Sequence, residues 1–384
     1  MQITKLGTVP DENVWATNVL SKLQKKISAE MRRLSTDIPY IPVNGHYEDE
    51  GSKDITWWTN GFWAGMLWQL YHATGDKDYE TYARFSEKRL DDAFTNFMGL
   101  DHDVGFMWLH TAVADYRLTK HERSLARGLH AANLLNGRYN PIGKFIKAWN
   151  PDESGDRNGW VIIDSMMNIS LLYWARDVTN DPRYDYIART HADTVMQNHV
   201  RADGSVNHIC IFDPKTGELL ETRGGQGYGV GSSWSRGQAW AIYGFALSYV
   251  HTHDQRYLDT AKRAAHYFLA NIERNDYESL VDFRAPKDPI QIDTSAAAIA
   301  ACGLLEIGKQ VPDLERQLYV DSALKILKHL DENNADYNVA TDGIITDGSV
   351  QYNQNGPKRD RIVYADYFFV EAILRILGKD FLIW

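Results

Sequence analysis

Two aspartates are set apart by what precedes them. Asp103 lies in the stretch LDHDVGF, next to His102 and two residues after Asp101, and Asp164 follows the apolar run Val161-Ile162-Ile163. A carboxyl group held in apolar surroundings near a second carboxylate keeps its proton to higher pH, which a general acid needs near neutrality. Elsewhere the chain offers Trp57, Trp149, Trp234 and Trp240, with His102, His208, Gln226 and Arg236 as polar companions. Indole faces pack on the C–H faces of pyranose rings, while charged and amide groups hold hydroxyls and carboxylates, so this set points to carbohydrate chemistry. Arg236 stands between two tryptophans in SSWSRGQAW, where it either stacks on a ring or clamps an anionic group. His208, in GSVNHICIF, reads equally well as an ordinary buried histidine.

Other chemistries lack their residues. The chain has no HExxH, no GxxxxGK[ST], no GxSxG elbow and no Rossmann glycine pattern. The cluster RGGQGYGVG follows no strand and reads as a mobile loop. His199 and His208 have no cysteine or carboxylate partners at ligand spacing, so neither a metal nor another cofactor is expected.

The elements that must position these residues are helical. Long apolar stretches at helical spacing recur in pairs, and alternating runs that would signal strands are nearly absent. The first of each pair is apolar nearly all round, as in GFWAGMLWQLYHAT, and the second is amphipathic, as in YETYARFSEKRLDDAF. All-round apolar helices are buried and amphipathic ones face water on one side. Six pairs, closed by DYFFVEAILRILG and the N-terminal VWATNVLSKLQKKISAEMRRL, predict an all-α (α/α)6 barrel, a six-hairpin toroid of one domain spanning 1–384. Its inner helices all run the same way, so the segments before them meet at one mouth. Five of those segments place an aspartate at or near the helix start: Asp54, Asp103, Asp164, Asp293 and Asp366. For Asp54, Asp293 and Asp366 the expected role is an N-cap. Trp63, Trp68 and Trp174, in mid-helix, are expected in the core.

Composition sets the limits. The 384 residues carry a formal charge of −10, which argues against nucleic-acid or membrane-surface partners. Twelve tryptophans with 21 tyrosines and 13 phenylalanines give ample core and leave rings over for a site. Cys210 and Cys302 read as two buried free thiols. No stretch approaches the roughly 20 apolar residues of a membrane span. The start, MQITKLGTVPDENVW, lacks the pattern of a signal peptide, so a cytoplasmic location is expected, as a monomer or homodimer.

Three separated motifs, LDHDVGF around Asp103, GWVIIDSMMNISLLYWA around Asp164 and SSWSRGQAWAIYG around Arg236, resemble the unsaturated glucuronyl hydrolases, glycoside hydrolase family 88. The resemblance runs from Trp57 to the final YADYFFVEAILRI and implies the same (α/α)6 barrel. It implies release of a non-reducing-end 4,5-unsaturated uronic acid from lyase-generated oligosaccharides by hydration of the C4=C5 vinyl ether. Asp164 would act as general acid and base, and Asp103 as its partner. His102, Trp57 and Trp149 would be sugar contacts, and His208, Gln226, Trp234, Arg236 and Trp240 the pocket around the unsaturated ring. Members that favour sulfated fragments are expected to carry a basic residue before the position of Gln226, where this chain has Gly225. Lys358, Arg359 and Arg361 could compensate, although a solvated loop is the simpler reading. The alternatives are an unsaturated rhamnogalacturonyl hydrolase, an inverting glycosidase using Asp103 and Asp164, and, less favoured, a non-catalytic sugar-binding protein or a sugar epimerase.

Overall fold

The computed structural model describes residue 6, residues 10–153 and residues 155–384. The opening residues 1–5 and 7–9, part of the stretch read for a signal sequence, lie outside these. Helices α1 (Pro10–Leu34), α2 (Phe62–Thr74), α3 (Lys77–Arg89), α4 (104–119), α5 (Glu122–Asn136) and α6 (165–179) form the first half. The second half comprises α7 (Pro182–Asn198), α8 (Ser235–Thr252), α9 (Gln255–Ile272), α10 (Thr294–Gln310), α11 (Asp313–Asn333) and α12 (Val363–Ile376). Even-numbered helices make the inner ring, which closes where α12 packs on α2, and odd-numbered ones surround it. Every residue of α12 is buried, and in α10 only Lys309 and Gln310 are partly open, as all-round apolar sequences require. The chain therefore folds as the expected (α/α)6 barrel.

Four of the hairpins between inner and outer helices share one device. Gly75, Lys120, Asn180 and His253 adopt left-handed backbone at the ends of α2, α4, α6 and α8. Asp76, Asp181 and Asp254 then cap the outer helices by accepting the N–H of Asp78, Arg183 and Arg256. These tight turns form one end of the barrel and leave the longer return segments to build the other.

Two features depart from the sequence reading. A three-stranded antiparallel sheet, which the search for alternating runs missed, joins β3 (Trp160–Ile162), β4 (Ile209–Phe212) and β5 (Leu219–Arg223), beside a small hairpin of β1 (Tyr139–Asn140) and β2 (Phe145–Ile146). Strands this short carry too few alternations to be told from buried helix by period. Inner helix α4 is also interrupted by a π-helical turn, Leu109–Val113. Trp63, Trp68 and Trp174 are core residues, and Cys210 and Cys302 are buried and free. No described helix is long and apolar enough to cross a membrane.

Close contact between α4 and α6 fixes the floor of the mouth. A Cβ added to Gly105 would stand 2.5 Å from the Cα of Asn168. Gly105→Val should therefore force the two helices apart and cost roughly 1–3 kcal/mol. Thermal unfolding and turnover read this, and an unchanged melting temperature would contradict the close approach.

Candidate active site

At the mouth lies a cavity of about 330 Å³ whose lining includes Trp57, Trp149, Asp103, Asp164, Gln226, Trp234, Arg236 and Trp240. Each comes from a segment that precedes an inner helix or from that helix's first turns, so the common direction of the inner ring gathers them. Asp101 and Trp58 line it as well.

The acids are positioned by paired backbone anchors. Strand β3 delivers Asp164, and its continuation Ile163 donates its N–H to the carbonyl of His208 at 3.1 Å. Ala148 joins the two acid-bearing segments, since its N–H donates to Trp160 O at 2.8 Å and its carbonyl accepts from His102 N at 3.1 Å. Asn168 locks Asp103. Its Nδ2 donates to Asp103 Oδ1 at 2.9 Å, and its Oδ1 accepts the Phe106 N–H at 2.7 Å. Asp101 Oδ1 accepts the N–H of Asp103 at 2.8 Å, so a third carboxyl group belongs to the cluster. Sequence reasoning noticed Asp101 only as a neighbour and missed Asn168, whose place one helical turn after Asp164 was the available signal.

Electrostatics set these groups apart. Burial, reinforced by the charge of Asp101, pushes Asp164 up to about 7. Burial, together with Asp101 and Asp164, holds Asp103 well above the ordinary carboxylate range. Asp101 itself rises to about 6, again chiefly through burial. His102 Nε2 lies 3.4 Å from Asp103 Oδ1 and 3.5 Å from Asp164 Oδ1. Burial drives its imidazole well below the ordinary histidine value, so a neutral ring separates the two acids. Asp164 Oδ1 has no hydrogen-bond partner.

Four expectations need correction. His102, read as a sugar contact, is completely buried between the acids and does not line the cavity. His208 is also buried behind the wall, with Nδ1 accepting the Gln226 N–H at 3.0 Å and its ring 4.2 Å from that of Trp234. Asp366 is no cap for its own helix. It lies within the first turn of α12 and accepts the N–H groups of Ile344 and Ile345, the latter at 2.7 Å, and the hydroxyl of Tyr47 at 3.2 Å. It thereby anchors the segment leading to Ser349 and Val350. Asp293 does cap α10, accepting from Ser295 N at 3.2 Å. Asp54 caps no α-helix but accepts the N–H of Thr56 at 2.9 Å in a local turn on the cavity wall.

Arg236 stacks on a ring as foreseen, but its guanidinium is engaged by groups of the protein itself and not left to clamp a substrate anion. Its guanidinium stacks on Trp234 at 4.6 Å and Tyr364 at 5.4 Å. It is also paired with Asp293 at 2.5 Å and donates to the carbonyls of Ser349, at 2.7 Å, and Val350. Gln226 Nε2 donates to Val350 O at 2.9 Å, so the same segment braces two cavity residues. The RGGQGYGVG segment does follow a strand, β5, contrary to the sequence reading, and is pinned by the Tyr228 N–H on Asp282 at 3.0 Å. Arg359 and Arg361 face Asp347 and Asp336 at 3.4 and 2.7 Å, which leaves the exposed Lys358 as the cation of that stretch with no ion pair among the described residues.

Two trios among the described residues have donor atoms close enough to hold a metal ion: His102, Asp103 and Asp164, and Glu87, Asp115 and His121. The second is already neutralised by Arg84 and Arg127, at 2.9 and 2.8 Å. In the first, a cation would compete with the proton that burial keeps on Asp164.

Residues 41–370 match the family model for Glycosyl Hydrolase Family 88. The chain is 38% identical over 345 residues to an unsaturated glucuronyl hydrolase from Bacillus sp. (strain GL1), covering 86% of this chain and 90% of that protein. It is 33% identical over 338 residues to an unsaturated chondroitin disaccharide hydrolase from Streptococcus agalactiae serotype III (strain NEM316), covering 86% and 84%. The crystal structure of the Bacillus sp. GL1 unsaturated glucuronyl hydrolase, described as responsible for glycosaminoglycan degradation, superimposes with a TM-score of 0.89 at 34% identity, over 94% of this chain and 96% of that one. By that family match and those relatives, the chain belongs to glycoside hydrolase family 88.

Proposed function

We propose that the protein is an unsaturated glucuronyl hydrolase acting on glycosaminoglycan or related polyuronide fragments left by polysaccharide lyases. It releases the terminal 4,5-unsaturated uronic acid by hydrating the C4=C5 double bond, with 1–384 working as one catalytic unit. The observation that carries this reading is Asp164: a carboxyl group raised to about 7, with one oxygen free of partners, at the floor of a tryptophan-lined cup.

In the proposed mechanism the Asp164 proton goes to C4, and C5 becomes electrophilic through its ring oxygen. The resulting carboxylate takes a proton from water as that water bonds to C5. The hemiketal then opens at the bond between C5 and the ring oxygen, which leaves a ketone at C5 and a hemiacetal at C1. Its collapse expels the remaining saccharide with its oxygen protonated. One water is consumed and Asp164 ends protonated. Asp103, held by Asn168, keeps the cluster short of full ionisation, because like charges at this range raise each other's proton affinity. Trp149 and Trp240 supply the platform for the ring. The Arg236–Asp293 pair carries no net charge, so recognition of the uronate relies on directed donors. The buried N–H groups of Trp57 and Trp234, residues that line the cup, have no partner in the protein and supply that capacity.

The inverting-glycosidase alternative needs its carboxyl groups about 6.5–9.5 Å apart to admit a water. Asp103 and Asp164 offer oxygens within 4.8 Å of each other. That spacing suits two acids sharing protons and favours the single-acid mechanism. A cytoplasmic enzyme of this kind receives its substrates by import of the oligosaccharides, as a monomer or homodimer.

Incubation with lyase-generated disaccharides should abolish the ultraviolet absorbance of the conjugated double bond, and Asp164→Asn should slow this by about 10²–10⁴-fold while leaving binding intact. Full activity in that variant would assign the proton to another group. Because Asp164 must start protonated, kcat/KM should fall above about pH 7. Asp101→Asn removes a charge that raises Asp164, so the falling limb should move to lower pH. Removing the partner of buried Arg236 with Asp293→Asn should cost about 3–5 kcal/mol in chemical denaturation, more than loss of a cap alone would explain.

A further inference from the structure

A second cavity, of about 310 Å³, lies on the other side of the chain segment that carries Asp101, and that residue lines both spaces. Met98 stands at its edge, 70% exposed, and Gly99 next to it lines the catalytic cup. The wall contains Arg138 and Lys147, and among the described residues neither forms an ion pair with a carboxylate. Arg138 is held by carbonyls and an amide: Nε on Lys147 O at 3.0 Å, Nη1 on Asn150 Oδ1 at 2.8 Å and Nη2 on Ala148 O at 2.7 Å. Those partners fix its place without neutralising its charge.

Lys147 has one hydrogen bond, from Nζ to Asn158 Oδ1 at 2.8 Å, which leaves two of its protons for a ligand. Asn133, also on the wall, accepts from Tyr184 through Oδ1 at 2.8 Å, so its amide N–H groups are turned to other use. The acids that act on the two cations from further off are Asp101 and Asp103 for Arg138 and the exposed Asp156 for Lys147. Two cations without an acid partner are unusual on a chain of net charge −10, and their setting is concave. Arg138 acts repulsively on the charge of Lys147, and a bound anion would relieve that repulsion.

We propose that this cavity is an accessory subsite for an acidic group, carboxylate or sulfate, on a sugar of the oligosaccharide beyond the residue next to the bond that is broken. The inference rests on the hydrolase reading. A cup of about 330 Å³ accommodates the end of a saccharide chain, and the remainder leaves across the rim formed by Met98 and Gly99, toward Lys147. A disaccharide is too short to use this second space, whereas a tetrasaccharide with an internal uronate presents its next carboxylate there.

The test compares wild type with Lys147→Ala and Lys147→Gln on an unsaturated uronyl disaccharide and on a tetrasaccharide carrying an internal uronate. Both variants should raise KM for the tetrasaccharide by about fivefold, with kcat and all disaccharide constants held, the size expected for one partly exposed charge contact. No change for the tetrasaccharide, or equal losses on both substrates, would overturn the subsite. Calorimetric titration with inorganic sulfate separates a second source of anion. Sulfate binding that depends on Lys147 while tetrasaccharide KM does not would make this a free-anion site and also overturn the proposal. Inactivity of wild type on both substrates would instead reject the hydrolase reading, and the subsite with it.

Discussion

Three carboxyl groups share one desolvated corner of the barrel, and the cost of ionising all of them together governs the architecture around it. In water each would lose its proton near pH 4. Packed beneath Trp240 and behind the rim, Asp101, Asp103 and Asp164 are all raised, with Asp164 brought to about 7. The protein keeps the corner stable by keeping it nearly uncharged. His102 stays neutral between the acids, Asn168 donates to Asp103, and Arg236, the cation that acts on Asp164, arrives already paired. A protonated His102 or a free Arg236 would favour the ionised form of the neighbouring acid and weaken its hold on the proton needed for chemistry.

Such a balance holds only if the groups cannot drift. Asp103 and Asp164 stand on different hairpins, and the tie between them runs through backbone: Ala148 bonds both segments, and Asn168 reaches from α6 to the start of α4. On the opposite wall, Asp366 holds Ile344 and Ile345, whose chain continues to the carbonyls that fix Arg236 and Gln226. Asp366 and Asn168, polar residues near the starts of inner helices, thus serve neighbouring segments. The ring of helices is the rigid frame, and these crossings turn six separate loops into one wall.

Helix pairing, the common mouth and the meeting of Asp103 with Asp164 could be read from the amino-acid order, because each depends on local period or on a residue's immediate neighbours. Partners that meet only in three dimensions could not. Arg236 and Asp293 are 57 residues apart, and nothing near either one announces that the guanidinium is neutralised. The three-stranded sheet was hidden for a different reason. Val161 and Ile162 are buried together with Ile163, so the pattern of one solvent face that marks a strand is missing. His102 misled because its type suits a sugar contact, while its burial comes from helices elsewhere in the chain.

The neutral Arg236–Asp293 pair also bears on how an acidic chain accepts an acidic ligand. A lone buried arginine would attract a uronate strongly, but it would equally stabilise the ionised form of Asp164, toward which its charge already acts. Compensation by Asp293 weakens that effect and leaves the stacked guanidinium as a shaped wall beside Trp234. Attraction of the anion must then come from donors with little net charge or from cations far enough from Asp164 to leave its proton in place. Arg138 and Lys147, on the far side of Asp101, meet the second condition, since the charge of Asp101 stands between them and the acid. Separating the group that performs chemistry from the charges that capture substrate lets one mouth hold a protonated carboxyl group and still admit a polyanion.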